Sequence, residues 1–321
     1  MHYRTLGNTG LRVSAVGMGC WAIGGPWRAG EQELGWGEVD DAISLRTLHA
    51  ALDVGINFFD TADFYGLGHS EELVGRAFAG RRDRVVIATK FGNRITPDGK
   101  WIKDFSPGWV SEAIEGSLRR LRTDYVDVYQ LHSPAPGFVY NDEIVDALTR
   151  LCKAGKVRFF GVSLTVRGGP EQGLQILESG RRCDVFQVVH NILEREAECA
   201  LFPAALRAGI GIIARVPLAS GFLTGKFTPD TVFPPNDHRR ESYPPERIRA
   251  TVEKVERLRP IAAGKGMSLA QMALRYCISQ QAVSVVIPGA KTPEQVRDNA
   301  RAGDMGPLDA QTIAEIRRRV E

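Results

Sequence analysis

Six side chains stand out because their types could do chemistry and their surroundings are apolar. Asp60 ends the run INFFDT (56–61) save one residue, Lys90 ends VVIATK (85–90), and His132 ends DVYQLH (127–132). Ser163 ends FFGVS (159–163) and Gln187 lies late in VFQVVH (185–190). Tyr65 follows Asp60 in the loop Asp63-Phe64-Tyr65-Gly66. Taken singly, each has an ordinary structural use as a helix cap, a rim residue or a satisfied core residue. Together, an aspartate, a tyrosine, a lysine and a histidine make a proton-transfer device. A phenol with an ordinary pKa of about 10 is a sluggish acid at neutral pH. A nearby ammonium stabilises the phenolate and draws that value down, and the aspartate keeps the ammonium charged and aimed. A neutral histidine can donate a hydrogen bond to the substrate oxygen and orient it. The set suits hydride addition to a carbonyl, whose oxygen gains negative charge and must collect a proton.

For these residues to meet, the chain must bring distant segments to one mouth. A hairpin opens it: MHYRTLG and LRVSAVGMG flank the turn Asn8-Thr9-Gly10. Strand-like runs follow at 14–19, 56–61, 85–90, 127–132, 159–163, 185–190, 211–216 and 284–289, apolar throughout rather than alternating, as parallel strands under helices require. Between them lie amphipathic helices. Ser106 caps and Pro107 opens one carrying Val110, Ile114, Leu118 and Leu121. Asn141 caps another carrying Ile144, Leu148 and Leu151, closed by Gly155; Leu45, Leu48 and Leu52 mark a third, ended by Gly55. Further helices are expected near 70–79, 170–179, 199–208 and 293–302. With no break in composition, this alternation predicts a single (β/α)8 TIM barrel over residues 1–321, with long loops on its C-terminal face. An open doubly wound sheet is the alternative. Gly17-Met18-Gly19-Cys20-Trp21-Ala22 matches its glycine fingerprint, but Ile23-Gly24-Gly25-Pro26-Trp27 cannot open a helix, so the match is chance.

Composition excludes other classes. The 321 residues are 43% hydrophobic and 25% charged, and 41 Lys and Arg against 38 Asp and Glu leave a net charge of +3, which argues against nucleic acid or an anionic membrane as partner. The five cysteines (Cys20, Cys152, Cys183, Cys199, Cys277) are scattered and odd in number, without metal spacing, as in a cytoplasmic protein with reduced thiols. The loops expected at 20–40, 91–106 and 217–245 are long enough to be functional. Trp21, Trp27 and Trp101, with Trp36, could wall an apolar pocket; packing of loop on barrel explains each equally well except Trp21, which directly follows the first strand.

The run Phe58-Phe59-Asp60-Thr61-Ala62-Asp63-Phe64-Tyr65-Gly66, with Glu71, Glu72 and Gly75 after it, resembles the signature of the aldo-keto reductase family. Ala88-Thr89-Lys90-Phe91-Gly92, Gln130-Leu131-His132 and Gly161-Val162-Ser163 resemble it too, in family order from the opening hairpin to Ile287-Pro288-Gly289. The resemblance implies a catalytic tetrad of Asp60, Tyr65, Lys90 and His132, with Tyr65 as general acid and no metal. It implies NADPH, in preference to NADH, bound extended across the mouth for the reduction of aldehydes or ketones. Family-like cofactor positions are Ser163 and Gln187 at the carboxamide, with Gly19, Cys20 and Trp21 at the end of the first strand. Pro217, Leu218, Ser220 and Gly221 would wrap the pyrophosphate, closed by Lys226. Ile287, Gly289, Lys291, Gln295 and Asn299 would meet the adenosine half, together with Thr292.

Departures from the pattern are specific. Leu164 stands where many members have an asparagine, and Arg215 where an aromatic ring commonly stacks on the nicotinamide. Gly289 and Ala290 replace a Lys-Ser pair, leaving Lys291 and Arg297 for a 2′-phosphate. Two other readings compete. One is a cofactor-holding sensor subunit of the same fold, and the other a metal-dependent barrel hydrolase using Asp60, Asp63, His69 and His132, which lacks a His pair at ligand spacing.

Overall fold

The computed structural model describes residues 1–30 and 32–321. Its centre is an eight-stranded parallel sheet: β1 (Met18–Gly19), β2 (Phe58–Asp60), β3 (Val86–Phe91), β4 (Val126–His132), β5 (Val157–Ser163), β6 (Val185–Val189), β7 (Gly211–Arg215) and β8 (Val283–Val286). Neighbours pair in chain order from β1 to β8, and the parallel bridges Val16 to Val286 and Gly19 to Gly289 bring the two edges together. The sheet is thus closed into the barrel that the alternation predicts. All six residues of β3 and all four of β8 are buried, the signature of strands covered on both faces.

Helices pack outside: α1 (Asp41–Asp53), α2 (His69–Ala77), α3 (Pro107–Leu121), α4 (Asp142–Lys153), α5 (Gly169–Glu178) and α6 (Leu201–Ala208) each follow a strand. The caps read from sequence are in place, with the Asn141 side chain accepting from Ile144 N at 3.1 Å and Ser106 Oγ from Trp109 N at 3.4 Å. After β7 come α7 (Arg239–Ser242), α8 (Pro245–Glu256), α9 (Arg259–Gly264) and α10 (Leu269–Ile278); α11 (Pro293–Met305) and α12 (Ala310–Val320) follow β8. Helices α8 to α10 lie where the alternation predicts a long loop and further chain without a helix. Ile248, Val252 and Val255 nevertheless keep helical spacing on α8 and are its buried face, and Ser268 with Gln271 forms a capping box on α10. The loop expected at 20–40 contains a small antiparallel ladder, Trp27–Ala29 on Gln32–Leu34, with Glu31 outside the described residues. That at 91–106 contains Asn93–Ile95 on Trp101–Lys103. No helix among the described residues is long and apolar enough to cross a membrane.

The barrel interior has two levels. Below, Phe58, Val86, Ala88, Val128, Val185, Ile213 and Val285 pack on Leu6, Leu11 and Val13 of the N-terminal hairpin, which plugs the floor. The hairpin is fixed to the barrel by Asn8 N donating to Gly209 O at 2.8 Å. Above, the two-residue period of a strand fixes what faces inward next. Two residues beyond Phe58 is Asp60, and two beyond Ala88 is Lys90. Gln130 and His132 follow Val128, Gln187 follows Val185, and Arg215 follows Ile213. The apolar floor therefore carries a polar layer, all at the C-terminal mouth.

Candidate active site

Lys90 lies in that layer with no solvent exposure, and its three donors are all used. Nζ donates to Asp60 Oδ1 at 2.6 Å, to Thr61 O at 2.7 Å and to Tyr65 Oη at 3.0 Å. An ammonium has three hydrogens, so this one is saturated, and the phenolic oxygen is an acceptor towards it. The hydrogen of Tyr65 is thereby left free to point into the mouth. Burial lowers the Lys90 pKa, but Asp60 and Tyr65 more than reverse this and raise it. For Tyr65 the balance goes the other way. Burial raises the phenol above its ordinary value and outweighs the downward pull of Lys90. Here the structure differs from the simplest expectation: the resting tyrosine is firmly protonated, as an acid must be before it acts.

Asp60 is held on both oxygens. Oδ2 accepts from Gln187 Nε2 at 2.7 Å and from Gln130 Nε2 at 3.4 Å. Ser163 Oγ donates to Gln187 Oε1 at 3.3 Å. Gln187 is thus turned towards the carboxylate, with Ser163 behind it. Tyr65 itself comes from a turn (Tyr65–Gly68) between β2 and α2. Gly66 there has φ 62°, and a Cβ on it would sit 2.2 Å from Gly24 O, so only glycine lets this turn press against residues 22–24. The ring of Tyr65 stands edge-on to Trp21 at 4.9 Å and to His132 at 5.6 Å between centroids. Burial, followed by the charges of Lys90, Lys103 and Arg215, pushes the His132 imidazole well below its usual range, so it is neutral; its Nδ1 has no partner among the described residues.

A cleft of about 740 Å³ opens above this group. Asp60, Tyr65 and His132 lie at its base, with Trp21, Gln187 and Arg215 around them. From there it runs between Gly19, Ile287, Gly289, Lys291, Gln295 and Asn299 on one side and Pro217, Leu218, Ser220, Gly221 and Lys226 on the other. The backbone of the second wall is strained, with Val216 at φ 56°, Ala219 at 46° and Ser220 at 55°, a cost that recurs where a loop is shaped around a ligand. On the first wall, a Cβ at Gly289 would lie 3.2 Å from the Trp36 ring. Cys20, Ser163, Trp27 and Trp101 do not line the cleft. Cys20 and Ser163 are buried beneath it; Trp27 backs Trp21 at 4.8 Å, and Trp101 stacks on Phe64 at 5.0 Å.

Further residues line the cleft without a motif to mark them. His238 and Arg239 cross it as a strap, and Ser268 and Asp298 lie further along. His238 stacks on Trp36 with 6.4 Å between centroids, and Asp237 bridges to Trp36. Arg239 is held by Asp237, with its Nη2 at 2.5 Å from Oδ2. Lys291 fastens the other side, donating to Trp36 O at 2.5 Å and Glu38 O at 3.2 Å. The visible signal for the strap was the group Asp237-His238-Arg239-Arg240 inside a proline-rich loop.

The aldo/keto reductase family profile matches residues 15–321, and the chain belongs to that family. It is an oxidoreductase of the carbonyl–alcohol pair, working with a nicotinamide cofactor. Relatives include an aldo-keto reductase of Bacillus subtilis, 34% identical over 92% of this chain and 87% of its own. An NADH-specific methylglyoxal reductase of Escherichia coli is 32% identical over 95% and 94%, and a probable voltage-gated potassium channel subunit beta of rice is 33% identical over 96% and 93%. Among solved structures, glycerol dehydrogenase from Gluconobacter oxydans superposes with a TM-score of 0.84 at 32% identity, over 99% of this chain and 94% of that one.

Proposed function

We propose that the chain reduces aldehydes or ketones to alcohols, reversibly, with NADPH as hydride donor and Tyr65 as proton donor. The observation that carries this is the saturated Lys90 ammonium, whose contact with Tyr65 Oη leaves the phenolic hydrogen free at the mouth. The residues suit the cofactor: a long cleft starts at the tetrad, and one wall consists of strained backbone. Lys226, Arg239 and Lys291 lie together at the far end, close enough for their charges to be felt mutually. Burial and then Arg239 hold both lysines below their ordinary pKa. A phosphate-rich ligand relieves that crowding of positive charge. Gly289 leaves room for the adenosine half beside Trp36.

When bound, the nicotinamide supplies the hydride. The remaining steps belong to the chain. Trp21 and His132 position the substrate so that its oxygen meets the Tyr65 hydroxyl. As negative charge develops on that oxygen, Tyr65 donates its proton, and the nascent phenolate is met at 3.0 Å by an ammonium already in place. Asp60 keeps Lys90 charged throughout, and Gln187 and Gln130 prevent the carboxylate from swinging away. Neutral His132 adds a hydrogen bond without competing for the proton. NADPH and NADH titrations followed by a panel of aldehydes test the reading. Turnover supports an enzyme, whereas tight binding of NADPH without turnover of any carbonyl supports the sensor subunit. We place the protein in the cytoplasm on its free thiols.

A further inference from the structure

Beside the tetrad are two cations that the proton-transfer chemistry does not use. Lys103 ends the second strand of the 93–103 hairpin, and its Nζ donates to His132 O at 2.9 Å. Arg215 ends β7 and lines the cleft; one nitrogen donates to Leu164 O at 2.9 Å, while its buried Nε has no partner among the described residues. Each is held by a backbone oxygen rather than by a carboxylate, and the acidic neighbour Asp104 is taken by Arg94 at 3.0 Å. The hairpin that carries Lys103 is clamped in place. Trp101 Nε1 donates to Asn93 Oδ1 at 2.9 Å, and the Trp101 ring stacks on Phe64, the residue before Tyr65. The position of the ammonium is therefore tied to that of the phenol.

We propose that the substrate is an anionic carbonyl compound, bearing a carboxylate or phosphate a few atoms beyond the carbonyl, which Lys103 binds at the rim beside His132 while Arg215 adds positive potential. This deepens the carbonyl-reductase reading and rests on it. Asp63 faces Lys103, and Asp60 and Glu194 face Arg215, but neither cation has a carboxylate at hydrogen-bonding distance, which favours a substrate that brings its own negative charge. The exposed Val166, which lines the cleft three residues after Ser163, offers an apolar contact for a short hydrocarbon spacer. Although Lys103 reaches solvent, the protein packed around its ammonium lowers its pKa to about 8; Asp63 opposes this and Arg215 adds to it. The groups facing Lys103 are thus Asp63, Arg215 and His132. The contact should therefore weaken within the alkaline range where an ordinary lysine would still be charged.

The test compares 4-formylbenzoate with its neutral isostere 4-formylbenzamide, in saturating NADPH, for the wild type, Lys103→Met and Lys103→Arg. The wild type is expected to show a KM about tenfold lower for the benzoate, the size of effect of one charge-assisted hydrogen bond at a partly exposed site. Lys103→Met should raise KM for the benzoate about tenfold more than for the amide, and Lys103→Arg should restore most of the difference. Between pH 7 and 9 the preference should fade in the wild type and persist in Lys103→Arg. Equal KM values for the two aldehydes in the wild type, or equal losses for both in Lys103→Met, overturn the inference alone. No turnover of either aldehyde overturns the reductase reading and the inference with it.

Discussion

Replacing Tyr65 with phenylalanine deletes one oxygen from the base of the cleft, and the structure allows its consequences to be separated. The ring remains packed edge-on against Trp21 and His132, so the shape of the mouth is retained. The proton donor is gone, and general acid catalysis by a positioned side chain is worth about 10²- to 10⁴-fold. That corresponds to about 3–5 kcal/mol in the barrier. Lys90 loses one of three acceptors while buried, a cost of about 1–3 kcal/mol to folding, visible as a drop in Tm of several degrees. Cofactor affinity should change little, because the hydroxyl acts in the transition state rather than on the ground-state complex. Stopped-flow reduction of an aldehyde with prebound NADPH, fluorescence titration of NADPH and a thermal melt measure the three effects separately. The rate of wild-type reduction should also be level through the neutral range, because burial keeps the acid protonated beyond the ordinary tyrosine value. A phenylalanine variant that turns over at near wild-type kcat would remove Tyr65 from the role of acid.

Three other perturbations probe different parts of the molecule. Lys90→Met leaves Asp60 buried without its cation and should cost about 3–5 kcal/mol in stability as well as abolishing reduction; a melt unchanged from wild type would contradict the ion pair. Lys291→Ala should weaken NADPH more than NADH, and, because the ammonium also ties down Trp36 and Glu38, it should make residues 36–38 exchange amide hydrogens faster. Equal loss of both cofactors would take Lys291 away from the 2′-phosphate. His190, directly after β6, is fully buried, with Glu198 Oε1 3.7 Å from its Nε2, and burial outweighs the opposing Glu194 backbone to lower its pKa to about 4. Between pH 6.5 and 4 the unfolded chain takes up a proton that the folded one refuses, so stability falls as pH drops through that window, by about 3 kcal/mol in total. His190→Phe should flatten the acid side of a Tm-against-pH curve, and a curve parallel to wild type would refute the assignment.

Much of the barrel was visible in the sequence because parallel strands covered on both sides read as continuous apolar runs, and their ends are where polar residues become conspicuous. Asp60, Lys90 and His132 align from the sequence, since the strand period alone aims them inward. The partners of those residues were harder to foresee. The hydrogen bond of Gln187 to Asp60 is one such partnership, a matter of rotamer and not of register. Trp27 and Trp101 looked like pocket walls; the antiparallel ladders they belong to turn them onto Trp21 and Phe64, and ladder pairing in a loop leaves little trace in composition. The strap of His238 and Arg239 depends on contacts between segments some two hundred residues apart, which no local pattern encodes.

The plug under the barrel has a kinetic consequence. Leu6, Leu11 and Val13 close the floor with hydrocarbon, and among the described residues they pack directly on the strands beneath Lys90. On the reading of Tyr65 as proton donor, its replacement hydrogen arrives through the same opening by which the alcohol leaves. On that reading, a bulky alcohol that still fills the mouth delays reprotonation, and slow egress is expected to appear in solvent-isotope measurements as delayed proton uptake.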